Sequence, residues 1–407
     1  MIARRGLLAA SAAAALAPMR GRAQTPSLKL GVLTDMSGPY KNLAGPVAVE
    51  AAKLAIDDFG AAAKGMTVDV IVADHQNKAD IGASVARQWY DRDGVDVILE
   101  VANSAVALAV SGVTKEKNKV YVNSGAATSD LTGLQCSPNT IHWAYDTYML
   151  AKSTGGAMVR AGGKDWYFIT ADYAFGHALT RDTSAFITAA GGRVLGDTAY
   201  PFPGSTDFSS QLLQAQSSGA KVIGLSSAGT DTINQIKQGR EFGLADQGIK
   251  LAGLLVFISD IHSLGLETAQ GLVVTNSFYW DHNDRTRAFA ARLKPRAPDV
   301  RPTMVHAGVY ASTLHYLKTA AAMGVAAAKQ DGAATVARMK AMPTDDDAFG
   351  PGKIRIDGRV LHPSYLWEVK TPAESKGPWD YYKPLATTPA DDAFRPLSEG
   401  HCSLVPA

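Results

Sequence analysis

The stretch VYVNSGAATSDLTG, residues 120–133, ends a β-branched run in Ser124, Thr128 and Ser129. Nucleophilic chemistry at those hydroxyls would need a base, and no His, Lys or Cys stands beside them. Ser226 lies in GLSSA, one residue away from the nucleophile elbow G-x-S-x-G. Ala228 takes the place of the last glycine, where close helix packing matters, and no distinctive Asp and His follow. AGGKDW fails as a phosphate loop, because Met158 stands where the first glycine belongs and Asp165 follows Lys164 in place of Ser or Thr. No G-x-G-x-x-G follows the first strand, so no dinucleotide cofactor is expected. His142, His177, His262 and His282 are isolated, and neither H-E-x-x-H nor a Cys/His cluster with zinc spacing occurs, so no metal is expected. The acidic run Asp345, Asp346 and Asp347 reads as a solvated loop. Enzymatic function thus has no carrier residue to defend.

Hydroxyls without a base can still bind a carboxylate, and the elements around them supply a place to do it. LKLGVLTDM reads as an apolar strand, SGPYKNLAGP as a loop containing Tyr40, and AVEAAKLAIDDFGA as a helix. TVDVIVADH, VDVILEV and KVYVNSG are further strands, separated by the helices ADIGASVARQWYDRDG and SAVALAVSGVTKEKN. Single helices between strands imply right-handed crossovers and a parallel sheet. A second unit repeats the alternation through DWYFITAD, RVLGDTAYP, KVIGLSSAG and IKLAGLLVF. GLVVTNSFYW is another extended run, and VHAGVYASTLHYLKTAAAMG and DGAATVARMKAMP are helices. FGPGKIRIDGRVLHPSYLWEVK predicts extended runs turning at Asp357-Gly358, and the Pro-, Gly- and Asp-rich chain beyond Lys370 should wrap the surface.

In open parallel sheets, ligands gather at the carboxyl ends of the strands. After VDVILEV come Asn103 and Ser104, with Ser104 expected as the N-cap of the next helix, whose free N–H groups suit a carboxylate. After KVYVNSG come Ala126, Ala127 and Thr128, offering backbone groups and another hydroxyl. Ser104 and Thr128 could equally cap their own helices, and spacing alone does not choose. The second unit supplies aromatics: Trp143, Tyr145 and Tyr148 at the junction, then Tyr173 and Phe175 at a strand end. Taken singly, each of these aromatics reads as a core residue. Polar donors facing aromatics across a cleft would hold a small organic anion.

At 407 residues the chain exceeds one ordinary core, so two domains are expected. A net charge of +2 without a basic stripe excludes a nucleic-acid footprint. Residues 1–23 have the layout of a cleaved secretory signal: Arg4 and Arg5, an Ala-rich apolar run, and Gly21 and Ala23 before the cut. The paired arginines permit a twin-arginine route, and no later segment reaches the roughly 18 apolar residues of a membrane span. In an exported chain Cys136 and Cys402 should form a disulfide, contributing on the order of 4 kcal/mol and pinning the tail.

With these motifs together the chain resembles the type I periplasmic solute-binding proteins of ABC importers, in the branched-chain amino-acid-binding family. The resemblance rests on GVLTDMSGPY, NSAVALAVSG, NSGAATSDLT, ADYAFGHAL, DFSSQLLQAQSSGAKVIGL and GLVVTNSFYWDHNDRTRAF, and covers nearly the whole mature chain. It implies two doubly wound α/β lobes, 27–145 plus 278–350 and 146–277 plus 351–385, with a tail at 386–407. A hinge containing Tyr145 and Asp146 joins them, with crossings near 144–147, 275–278 and 350–356, and the lobes close on ligand. Ser104 and Ala126-Ala127-Thr128 match the family's carboxylate-holding positions, and Phe175 before Gly176 matches a ligand-contacting aromatic, usually a tyrosine. The acid that meets an α-ammonium falls near Leu255, and a further tyrosine falls near Ala228. A buried ammonium without its countercharge is costly. The expected ligand is therefore a carboxylate lacking the α-amino group, resting on Tyr148, Tyr173, Phe175 and Phe257. Asp146 could replace the lost acid, which keeps an amino-acid ligand open. The resemblance also implies a periplasmic monomer that delivers to permease subunits in the inner membrane. A periplasmic ligand sensor for a membrane signalling partner, and an exported hydrolase using Ser226, are the alternatives.

Overall fold

The computed structural model describes residues 25–406; the expected signal, residues 1–23, lies outside them. Alternation of short apolar strands with helices produces two parallel sheets. The first contains β1 (Ser27–Thr34), β2 (Thr67–Asp74), β3 (Val97–Glu100), β4 (Val120–Asn123) and β5 (Thr140–His142) in the order β2-β1-β3-β4-β5. β3 and β4 are buried along their whole length, as central strands covered by helices must be, while β2 faces solvent at the edge. The second contains β6 (Asp165–Ala171), β7 (Arg193–Tyr200), β8 (Val222–Ser226) and β9 (Lys250–Gly253), in the order β7-β6-β8-β9 and all parallel. This is the two-lobed α/β architecture expected from the sequence.

β10 (Val273–Asn276) belongs to neither parallel sheet. It pairs antiparallel with β13 (Ser364–Val369), which pairs with β14 (Tyr382–Thr388). Val274, Trp367 and Tyr382 from these strands share a core with Ile169 and Leu225 of the second sheet. β14 is a correction, since composition predicts an irregular wrap after Lys370. Its Leu385 is exposed, so backbone pairing along β13 and not apolar patterning makes it a strand. A second difference concerns the hairpin of β11 (Lys353–Ile354) and β12 (Val360–Leu361). The resemblance groups it with the second lobe, but it packs on helix Gly332–Ala341, and Arg359 bridges to His142 of the first sheet. The third crossing therefore follows β12 and does not lie at 350–356.

The apolar run LLVF continues past β9 without continuing the strand. Residues 254–257 are buried as a loop, and helix Ile258–Leu264 follows. The acidic run is solvated only in part, with Asp345 exposed, Asp347 half-buried and Asp346 buried. Asp345 and Asp347 pair with Arg285, Asp347 also with Arg292, and buried Asp346 accepts from the N–H groups of Ala348 and Phe349. Cys136 and Cys402 form the expected disulfide across 266 residues. Nearby, Arg395 of the tail donates to the Ser129 carbonyl at 2.8 Å.

Candidate functional site

The carboxyl ends of β1, β3 and β4 face the second sheet across a cleft, and a loop from β1 reaches over it. Buried Asp35 organises that loop by accepting from the N–H groups of Ser37, Gly38 and Tyr40 and from the Asn77 amide, at 2.6–3.2 Å. The loop thereby carries Tyr40 to the other wall, where its hydroxyl hydrogen-bonds that of Tyr173. Phe202 stacks on both rings, with centroids 5.3 Å from Tyr40 and 4.5 Å from Tyr173. Burial, then the mutual contact, raises the Tyr40 phenol well above its ordinary pKa, so it stays neutral and able to donate. Beside this pair, the Thr230 hydroxyl and N–H donate to the Pro39 carbonyl.

The floor of the cleft comes from the ends of β3 and β4. Asn103, not Ser104, is the N-cap of helix Ser104–Glu116, because its amide oxygen accepts from the N–H groups of Ala105 and Val106. That frees the Ser104 hydroxyl to accept from the Thr128 N–H at 3.2 Å. Thr128 in turn caps the short turn Ser129–Thr132 through its own hydroxyl. Asn123 and His142 hold the Ala126 carbonyl, which fixes the 124–128 loop from behind. The N–H groups of Gly125 and Ala127 find no acceptor among the described residues. Beneath Gly125 lies Glu100, fully buried, with no well-formed hydrogen bond to either carboxylate oxygen. Glu100 and Val101 both have left-handed backbones, at φ 77° and 62°, uncommon for such side chains and costing on the order of 1–3 kcal/mol each.

Between floor and far wall is a narrow cavity of about 10 Å³. That is room for about one water, so an organic solute enters only when the two walls part. Its first-lobe lining is Tyr40, Leu43, Ala102, Gly125 and Ala127, and its second-lobe lining is Tyr173, Phe175, Ala228, Leu255 and Phe257. Tyr145 closes the back, edge-on to Phe257 with its hydroxyl on the Gly125 carbonyl. No charged side chain is among these.

Tyr40, Ala127, Tyr173, Phe175 and Phe257 thus meet at one cavity, joined by Leu255 and Ala228. Asn103, Ser104, Ala126 and Thr128 sit behind the floor, bonded to the protein itself. Tyr148 lies apart, half-buried against Phe186. Asp146 does not reach the cavity: one oxygen caps Met149 at 2.8 Å and the other meets Arg359 at 3.4 Å. Ser226 is buried at the end of a hydroxyl chain from Thr170 through Thr180. Sequence reading missed Leu43, Ala102, Gly125, Glu100 and Arg359. Only Gly125, at a strand end beside the expected loop, carried a local signal.

Arg359 ties the crossings together. It is fully buried and donates to the carbonyls of Trp143, Tyr145 and Val360, with Phe394 stacked 4.4 Å from its guanidinium. Burial lowers its pKa to about 10, with Asp146 pulling it back up, so it remains a cation at neutral pH.

Comparisons with known proteins agree with this geometry. A family model described as periplasmic binding protein matches residues 27–378. A periplasmic binding protein of Burkholderia mallei has 48% identity and TM-score 0.89, covering 94% of this chain and 100% of its own. A branched-chain amino acid ABC transporter periplasmic ligand-binding protein of Burkholderia xenovorans LB400 has 39% identity and TM-score 0.80, covering 93% and 99%. Among curated proteins, a Leu/Ile/Val-binding protein homolog of Brucella suis biovar 1 is 27% identical over 259 residues, 61% of this chain. The match spans 63% of that relative's length.

Proposed function

Since the chain belongs to the periplasmic binding protein family, we propose that it captures a small carboxylate without an α-amino group, foremost an aromatic acid, and delivers it to the permease of an ABC importer. One observation carries this reading: Gly125 and Ala127, whose N–H groups find no acceptor among the described residues, line a cavity walled by tyrosines and phenylalanines and lined by no acid. Those N–H groups would receive the carboxylate, while Ser104 and Thr128 hold the floor behind them. The ring would lie among Tyr40, Tyr145, Tyr173, Phe175 and Phe257. Leu255 in place of the family's acid leaves an ammonium without a countercharge in the lining. In this reading, the signal is removed on export, the protein works in the periplasm, and Ser226 performs no chemistry. Buried Glu100 is the one feature that favours an amino-acid ligand.

A thermal-shift series on refolded protein tests the proposal, with benzoate, a 2-oxo acid, benzamide, leucine and valine as probes. A ligand at a hundred times its Kd should stabilise by about 2.7 kcal/mol. Benzoate-type carboxylates should raise Tm and the aliphatic amino acids should not. Stabilisation by leucine or valine equal to that of the best plain carboxylate would defeat the reading.

A further inference from the structure

Glu100 is a carboxylic acid sealed under a site that should hold an anion. A Cβ built on Gly125 would come within 2.0 Å of its Oε1 and 2.7 Å of the Ala102 Cα, so the cavity-lining backbone of Gly125 and Ala102 lies directly against this carboxyl. We propose that Glu100 is a proton-linked specificity residue, admitting an anionic carboxylate to the Gly125–Ala127 floor when neutral and rejecting one when ionised. This rests on the carboxylate reading of the cleft.

The groups facing Glu100 offer its charge a hydroxyl and two N–H groups but no positive charge. From the end of β1 come the Thr34 hydroxyl and the Asp35 carboxylate, and from its own loop the N–H groups of Val101 and Ala102. The phenols of Tyr121 on β4 and Tyr145 at the crossing also feel it, and burial keeps both neutral. In the row of β3, β4 and β5, Asn123 and then His142 follow, and burial holds that imidazole uncharged. His75, beyond Asp35, is likewise held neutral by burial, its pKa lowered to about 4. No Lys or Arg stands among these groups.

Burial pushes the Glu100 pKa up to about 8; Thr34 and the loop N–H groups pull it back and Asp35 adds to it. Below that pH the acid is neutral and the anion meets only donors. Above it, binding the anion must draw one proton from solvent onto Glu100, and affinity declines with each further pH unit. An amide ligand, carrying no charge, is indifferent.

Calorimetric titration with benzoate and with benzamide, between about pH 6 and about pH 9.5, reads this directly. Benzoate affinity should fall at least about tenfold over that range, benzamide affinity should stay flat, and uptake should approach one proton per benzoate at the alkaline end. Proton uptake, read from buffers of different ionisation enthalpy, needs no variant. E100Q should remove both the fall and the uptake. In ligand-free protein the folded state favours the neutral acid, so Tm should decline as pH rises from about 4.5 to about 8, and less so in E100Q. A wild-type affinity flat with pH overturns the proposal. So does an undiminished fall in E100Q, which would transfer the effect to another acid such as Asp260 behind Phe257, raised to about 7 by burial. Leucine binding that strengthens with pH would reverse the sign and make Glu100 an ammonium's countercharge. Binding of none of the probes at any pH would remove the functional reading and this coupling together, whereas pH-independent benzoate binding would remove only the coupling.

Discussion

At the scale of single residues, the floor of the cleft depends on what is missing from Gly125. Its φ is unexceptional, so the glycine is not there for a turn; it is there because backbone and carboxylate approach too closely for any side chain. Gly125→Ala would press a methyl into Glu100 Oε1 and the Ala102 Cα, and the second of these is backbone that cannot rotate away. The variant should lose about 1–3 kcal/mol of stability as an overpacked site. Its benzoate affinity should fall by about tenfold or more, because the two free N–H groups move with the loop. Titration showing benzoate bound within twofold of wild type would mean those N–H groups are not the anchor.

At the scale of elements, the loop after β1 is held by one side chain. Asp35 satisfies three backbone N–H groups and the Asn77 amide, which itself accepts from Asn103 at the helix start. The same carboxylate therefore links the loop bearing Tyr40 to the cap of helix Ser104–Glu116. Asp35→Ala orphans those donors, and buried donors without partners cost about 1–3 kcal/mol each before the loop relaxes. The expected result is a loss of about 2–4 kcal/mol in urea unfolding, together with weaker ligand capture as Tyr40 leaves Tyr173. Loss of stability with full affinity would show that Tyr40 contributes nothing to the closed cleft.

At the scale of the whole molecule, the crossings are fastened by a buried ion pair whose members gain little from each other. Burial raises the pKa of Asp146, against the pull of Arg359, while the same burial lowers that of Arg359. Both move toward neutrality, the sign of a pair whose attraction does not fully offset desolvation. What Arg359 adds is a single set of donors for the carbonyls of Trp143, Tyr145 and Val360, which places the first and third crossings side by side. R359M should cost about 3–5 kcal/mol, because Asp146 is left buried and unpaired. R359M/D146N should recover part of that, though not all, since the carbonyls stay without donors. A double-mutant cycle from denaturant unfolding reads the difference, and a double variant destabilised by the sum of the separate R359M and D146N losses would leave the pair without energetic coupling.

Local patterning determined much of this protein. Strand-length apolar runs separated by single helices determined two parallel-sheet units, and β-branched residues such as those of 120–123 suffice because a buried parallel strand needs little more than shape and apolarity. The paired cysteines were legible from the expected export, and five of the cavity's aromatic or floor residues from their places at strand ends and in the family pattern. Tertiary structure alone decided the rest. LLVF is apolar because Leu255 and Phe257 line the cleft while Leu254 and Val256 pack into the cores, and no periodicity separates that from a strand. β14 exists through backbone pairing, to which composition is blind. Glu100 reads locally as the end of a strand and Arg359 as the far side of a hairpin. Their roles come from burial beneath Gly125 and beside the carbonyl groups of the crossings, contacts between segments far apart in the chain. Desolvation acts on the surroundings that folding assembles, so the charge state of these groups is a property of the fold and not of the residue.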